Sequence, residues 1–239
     1  MTLTESVTDG IGLLTATLGP ARVAFSDRNG GVSRGPYASL NLAARGGDDR
    51  AAVTENRARV ARAAGFPVTN LALARQVHGA DHLDVASGSS GVIGEADVLT
   101  TRAADVALGI LTADCAPVVL VGSGAIGVVH AGWRGVVAEA VARGVAEVGE
   151  VEAAWIGPSI HSCCYEVGPE VVDAFRALDL PVASSDRVDP AVAAAAQLER
   201  LGVTAVEVSD ICTSCDARYY SYRRDGLTGR QGAFVWWTE

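Results

Sequence analysis

Lysine is absent from this sequence: all 19 basic residues are arginine. Schiff-base catalysis, Ser/Lys dyads and a lysine-based phosphate loop are thereby excluded, and any anion held by a side chain must be held by arginine. Histidine is scarce too, with only His78, His82, His130 and His161 available to a mechanism that uses imidazole. No apolar run approaches the ~18 residues that a membrane helix needs, and no charged N-terminal region leads into an apolar stretch. The expectation is a cytoplasmic protein with no membrane partner. A net charge of -9 argues against nucleic acid as the main partner, because phosphate binding wants a basic face. With no secretion signal, the five cysteines are expected to be reduced thiols or metal ligands rather than a disulfide framework.

What is present is a chain of 239 residues, 49% of them hydrophobic, enough to bury a large core. A single domain over residues 1–239 is expected, with residues 1–18 as a poorly ordered leading segment. The stretch Thr112 to Gly135 organises the rest. Its runs APVVLVG and AIGVVHAG are joined by Gly122-Ser123-Gly124, a hairpin signal. Cys115 precedes the first run and His130 ends the second, so antiparallel pairing would bring both to one end of a sheet. His78, in RQVHG at the end of a strand-like run from Leu71 to Val77, is a third candidate ligand, ranked above His82.

The remaining elements follow from periodicity. Gly19 to Phe25 reads as a first strand, followed by a loop in which Arg34, Tyr37 and Asn41 could point at a ligand or in which Asn41 is simply structural. AAVTENRARVARAAG suits an Arg-rich amphipathic helix ending at Gly65, its arginines solvated. Trp133 to Glu147 reads as one helix packed on the sheet, its N-terminal N–H groups and Arg134 offering an anion site near His130. Pro169 to Leu178 and Pro190 to Leu201 read as helices, the second capped by Asp189. VLTT, Ala153 to Ile156, VTAVEVS and the C-terminal run read as strands. Asp97 is expected to be a turn residue capping its strand, with a role behind the metal ligands or at substrate as the alternative.

Cys163-Cys164 and Cys212-x-x-Cys215 would in principle supply four thiolates to zinc, but a strong structural site shows two CxxC pairs. Half-buried thiols are the favoured reading. Arg223, Arg224 and Arg230 would suit phosphate or carboxylate and the neighbouring tyrosines a base, the competing reading being an Arg-rich loop over the sheet edge.

Six ordered motifs, SDRNGGVSRGPYASLNL, RQVHG, TADCAPV, HAGWRG, GPSI with CCYEVG, and SYRRDGLTGR, resemble those of the polyphenol oxidase or laccase-domain family, regarded as purine nucleoside phosphorylases and related to the bacterial peptidoglycan editing factor. The resemblance runs from Phe25 to the C-terminus. It implies an α+β fold, a four-layer α/β/β/α arrangement of mixed sheets, with zinc held by His78, Cys115 and His130, which also carry catalysis. It implies transferase and hydrolase activities: phosphorolysis of adenosine, inosine and 5'-methylthioadenosine, and deamination of adenosine. Purine nucleoside and phosphate are the implied partners, with Asn41, Arg34, Arg134, Arg223 and Arg224 as candidate substrate contacts and Asp114 as a support for the ligands. Monomer and dimer both stay open. His161 departs from the pattern, standing where a small residue is expected, and would narrow the pocket or add a weak ligand.

Two His and one Cys leave a tetrahedral zinc one open position, the catalytic pattern, and zinc lowers the pKa of a bound water towards neutrality, as deamination requires. Copper is the lesser expectation: two His and one Cys suit an electron-transfer copper, but a multicopper laccase needs many more histidines than four. Two alternatives remain, a Cys/His amide hydrolase editing peptidoglycan precursors, with Cys115 as nucleophile, and a zinc-stabilised nucleoside-binding module without catalysis.

Overall fold

The computed structural model describes residues 2–238; residues 1 and 239, which fall within the expected single domain, lie outside it. In chain order the elements are β1 (Thr4–Thr8), β2 (Ile11–Leu18), β3 (Ala21–Ser26), α1 (Arg50–Ala64), β4 (Leu71–Arg75), β5 (His82–Asp84), β6 (Gly91–Glu95) and β7 (Val98–Thr101). Then come β8 (Ala107–Thr112), β9 (Ala116–Gly122), β10 (Ile126–Ala131), α2 (Trp133–Val137), α3 (Ala140–Val148), β11 (Val151–Ile156) and α4 (Pro169–Ala177). The chain closes with β12 (Val182–Ser184), β13 (Arg187–Val188), α5 (Pro190–Arg200), β14 (Val206–Val208), α6 (Tyr222–Asp225) and β15 (Gln231–Trp237).

Two mixed sheets carry the architecture, in the orders β1-β2-β3-β15-β8-β4-β6 and β14-β11-β9-β10-β7-β5. Side chains alternate across a strand with period two, and the burial sorts accordingly. In β9, Val118 and Leu120 face one apolar cluster while Val119 and Val121 face another. The second cluster also takes Val23, Phe25, Ile110 and Val235 from the first sheet, so it is the core between the sheets. Helices α2 to α5 cover the outer face of the second sheet through Val136, Val141, Phe175 and Leu198. Helix α1 covers the outer face of the first through Val60 and Ala61, against Leu73 and Phe234. The result is the α/β/β/α four-layer arrangement that the motifs implied. No helix among the described residues is long and apolar enough to cross a membrane.

Within the leading segment, Thr4–Thr8 and Ile11–Leu18 form two paired strands. Residues Asp9 and Gly10 both have positive φ, at 52° and 78°, and join β1 to β2 as a two-residue turn with Thr8 opposite Ile11, the geometry Asp-Gly favours. Ile11 and Leu13 enter the α1 side of the core and Leu14 and Ala16 the inter-sheet side. All five residues of β1 are exposed: an edge strand is held by main-chain bonds and can be polar on both faces.

The expected single helix from Trp133 to Glu147 is two. Gln197 Nε2 donates to the carbonyl of Val136 at 2.9 Å, occupying an acceptor that a continuous helix would use, and Glu139 adopts a left-handed φ of 59° between α2 and α3. The arginines of α1 are not all solvated either. Arg57 Nε donates to Leu42 O and Arg59 to Gly30 O, while buried Asn56 bonds Val32 N, Ser33 Oγ, Ser39 O and Asn41 O, tying the long loop to the helix.

Candidate metal centre

Strands β9 and β10 pair antiparallel, with His130 opposite Pro117 and Ala131 opposite Ala116. Cys115, one residue before β9, therefore lies beside the end of β10, as the hairpin pattern indicated. Buried His130 meets half-buried Cys115 and exposed His78, and the ligand atoms of the three all lie within 4.8 Å of one another. The two imidazole rings stand 4.8 Å apart at 72°.

One carboxylate orders this trio. Asp97, fully buried at the start of β7, accepts the backbone N–H groups of Val77, His78 and Gly79 at 3.1, 3.0 and 2.7 Å. It also accepts from Nδ1 of His130 at 2.7 Å, and its own carbonyl accepts from His130 N at 2.8 Å. His78 has a left-handed φ of 62°, a conformation uncommon outside glycine that the three N–H bonds hold in place. The turn-capping expectation for Asp97 is thus corrected: it braces two candidate ligands from behind, the usual arrangement around a metal-bound histidine. Burial alone would raise its carboxyl, but the bonds from His130 and the backbone hold it below the ordinary value.

The donor set fits a metal ion. With Nδ1 of His130 held by Asp97, its Nε2 is the atom available to a metal, and two imidazoles with one thiolate are the donors zinc prefers. The space is kept open by Gly132, where a Cβ would stand 2.9 Å from Cys115 Sγ and 3.6 Å from His78 Cδ2. Electrostatics favour the deprotonated thiol: burial would raise Cys115, but the charge and hydrogen bonds of His130 and His78 bring it down to about 6. Burial would likewise lower His130, but Cys115 and Asp97 raise it to about 9.

Around this centre the other candidates divide. Arg223 and Arg134 are exposed. Arg223 lies over the Tyr165 ring with its guanidinium carbon 4.9 Å from the centroid, and Arg134 lies over Trp133 at 4.3 Å. Burial pushes the Tyr165 phenol up to about 12, and Cys115, Arg223, Asp114 and Arg134 all act on it by charge, so these groups share one neighbourhood. Tyr165 was not singled out in the sequence, although it sits inside CCYEVG. Asp114, with φ of 91°, accepts from Thr213 Oγ1 and from the backbone N of Arg223, both at 2.7 Å. It anchors the arginine loop.

Several residues do other work. Asn41 Nδ2 donates to Ala43 O and Asp48, and its Oδ1 accepts from Ala43 N and Arg230 N. Every polar valence is used internally, so the structural reading of Asn41 replaces the substrate-contact one. Arg224 donates to the carbonyls of Thr213, Ser214, Asp216 and Tyr219 and to the Asp225 carboxylate, so its guanidinium closes the loop rather than facing a ligand. Arg34 is exposed beside the 3-10 turn Gly35–Tyr37. His161 neither narrows the centre nor ligates: its ring bridges Asp189 Oδ2 at 3.0 Å and Ser209 O at 3.1 Å. His82 Nε2 is 2.7 Å from Thr100 Oγ1 on β7. Tyr219 and Tyr220 are buried, so the base-stacking role read for them is corrected, and Tyr220 donates to Tyr37 O.

Residues 22–238 match the family described as multi-copper polyphenol oxidoreductase laccase. A purine nucleoside phosphorylase of Deinococcus radiodurans is 42% identical over 240 residues, covering 95% of this chain and 93% of its own length. Purine nucleoside phosphorylase ORF3 of Streptomyces griseus is 40% identical over 234 residues, covering 91% of this chain and 95% of its own. The crystal structure of YlmD from Geobacillus stearothermophilus matches with a TM-score of 0.91 at 33% identity, covering 99% of both chains.

Proposed function

The chain belongs to the multi-copper polyphenol oxidoreductase laccase family, with relatives named purine nucleoside phosphorylases, and on that premise we propose that it is a zinc-dependent purine nucleoside phosphorylase acting on adenosine, inosine and 5'-methylthioadenosine, with adenosine deamination at the same centre. The observation that carries this reading is the convergence of His78, Cys115 and His130 beside Arg134, Arg223 and Tyr165. His78, Cys115 and His130 would hold a zinc ion, which would supply the Lewis acidity that attack of water at C6 of adenine needs. The four histidines of the chain do not suffice for a multicopper cluster.

The chain's own residues do the rest. Asp97 fixes the ring of His130 and the backbone of His78. Arg223 gives one N–H to Glu166 O and keeps further donors for a phosphate, which an arginine fork grips in bidentate fashion. Arg134, exposed over Trp133 in the first turn of α2, adds a second positive charge. In phosphorolysis a phosphate oxygen bonds C1' of the ribose as the bond from C1' to the purine nitrogen breaks. Positive charge at the phosphate holds the nucleophile against the sugar.

One geometric observation favours a second reading. Cys115, His130 and Asp97 stand in the order thiolate, imidazolium and carboxylate, the arrangement of a thiol hydrolase. Metal dependence separates the two. Purified, metal-quantified protein incubated with adenosine should yield adenine and ribose 1-phosphate only when phosphate is present, and inosine through deamination. Absence of both products from stoichiometrically zinc-loaded protein would overturn the nucleoside reading. Activity that survives chelation and is lost to iodoacetamide would establish the thiol hydrolase instead.

A further inference from the structure

Four of the five cysteines lie outside the centre described above, and they meet. Cys163 and Cys164 come from the loop after β11, and Cys212 and Cys215 from the loop after β14. Their four sulfurs all lie within 4.8 Å of one another. Cys215 Sγ is 3.8 Å from that of Cys163 and 3.2 Å from that of Cys164. A tetrahedral zinc with Zn–S bonds of about 2.3 Å separates its sulfurs by about 3.8 Å, so the cluster is already near the size that one ion requires. We propose that Cys163, Cys164, Cys212 and Cys215 bind a second, structural zinc ion, distinct from the one held by His78, Cys115 and His130.

The backbone explains how a Cys-Cys pair can serve, against the sequence expectation of half-buried thiols. Cys164 N and Tyr165 N both donate to His161 O at 3.0 Å, closing a tight turn that leaves two consecutive thiols on the side facing Cys215. The partner loop makes a matching turn, with Cys215 N and Asp216 N donating to Cys212 O at 3.1 and 2.9 Å. Backbone N–H groups of His161, Cys215 and Ser214 point at Cys212 Sγ, the kind of donor that steadies a metal-bound thiolate. Arg187 donates to the carbonyls of Ser162 and Cys163, bringing positive charge beside a site whose four thiolates outweigh the ion.

The two loops are registered without the metal. Ser159 and Cys212 form a parallel bridge, with Thr213 N donating to Ser159 O at 2.9 Å. The sulfurs are therefore brought together by the fold, and binding does not have to gather them from a disordered chain. Four protein thiolates leave no open position, which is the structural rather than the catalytic pattern. What the ion would secure is the wall of the other centre. Thr213 and Tyr165, one residue away from Cys212 and Cys164, hold Asp114 and underlie Arg223.

The test counts zinc in protein that lacks the first centre. A Cys115→Ala chain, purified under reducing conditions and challenged with a chelator, should retain one zinc per chain. Replacing its zinc with cobalt should give the thiolate-to-cobalt absorption of a tetrahedral four-sulfur site. Adding Cys163→Ser and Cys215→Ser, both at exposed positions, should remove that metal and the absorption while far-UV circular dichroism stays unchanged. If the doubly substituted chain fails to fold, Cys164→Ser alone should still lower the zinc count of the Cys115→Ala chain. A Cys115→Ala chain that folds and holds no zinc overturns the proposal, as does a Cys164–Cys215 disulfide in protein purified without oxidant. Neither result bears on nucleoside phosphorolysis, which is read from the parent chain.

Discussion

Nδ1 of His130 stands 2.7 Å from Oδ1 of Asp97, and both side chains are almost wholly sealed from solvent. The carboxylate thus fixes the ring of one candidate ligand and cradles the backbone of another.

Asp97→Asn should therefore act on metal affinity. The amide keeps the shape but loses the charge and one acceptor, leaving backbone N–H groups short of partners. Zinc affinity at the His78, Cys115 and His130 centre should fall roughly 10- to 100-fold, read by chelator competition. An affinity equal to that of the parent would remove Asp97 from this role.

Gly132→Ala isolates sterics from conformation. Gly132 has φ −65° and ψ 164°, extended backbone that alanine adopts readily, yet its Cβ would press on Cys115 Sγ at 2.9 Å. The thermal midpoint of the metal-free protein should stay close to that of the parent while zinc affinity drops by about tenfold or more. A large loss of stability with normal zinc binding would show that the glycine serves packing instead.

In metal-free protein, alkylation of Cys115 should titrate near its lowered value of about 6. Thiolate is the reactive form, so the rate at pH 7 should already be close to its plateau, and zinc should suppress it. Peptide mass spectrometry after timed iodoacetamide quenching reads this directly; a midpoint above 8 would contradict the pairing with His130.

His161 and Asp189 give a pH dependence of stability. The hydrogen bond and charge of Asp189 raise His161 above its ordinary 6.5. Burial would raise Asp189, but the bond from His161 holds it below 3.8. The histidine contribution is complete below about 6.5 and lost as pH rises through the raised value, whereas the carboxylate contribution is present above about 3.8 and lost as pH falls through the lowered one. His161→Gln should thus destabilise the metal-free protein by about 1.5 kcal/mol at pH 5.5, and by less at pH 9. Equal losses at both pH values in denaturant melts would sink the assignment.

Much of this was legible in the chain itself, for reasons of spacing. Cys115 and His130 are joined by a short turn, so local pairing alone brings them together, and the bounds of α1, α4 and α5 follow from apolar period and caps. The role of Asp97 stood only as the lesser alternative, because an acidic residue before a strand reads as a cap until its neighbours across the sheet are known. Asp9-Gly10 carried a hairpin signal that the polar β1 obscured. Asn41 and Arg224 were misread because polar residues in a Gly-rich loop look available when the fold in fact consumes their hydrogen bonds.

The ring of His130 and the backbone of His78 lean on the same carboxylate, and with Cys115 the two histidines present nitrogen and sulfur rather than oxygen. Calcium, which takes 6–8 oxygen ligands, finds no partner of its own kind in that trio, whereas an ion of borderline softness does. Selectivity among ions would then be decided by the hardness of the donors, before any substrate arrives.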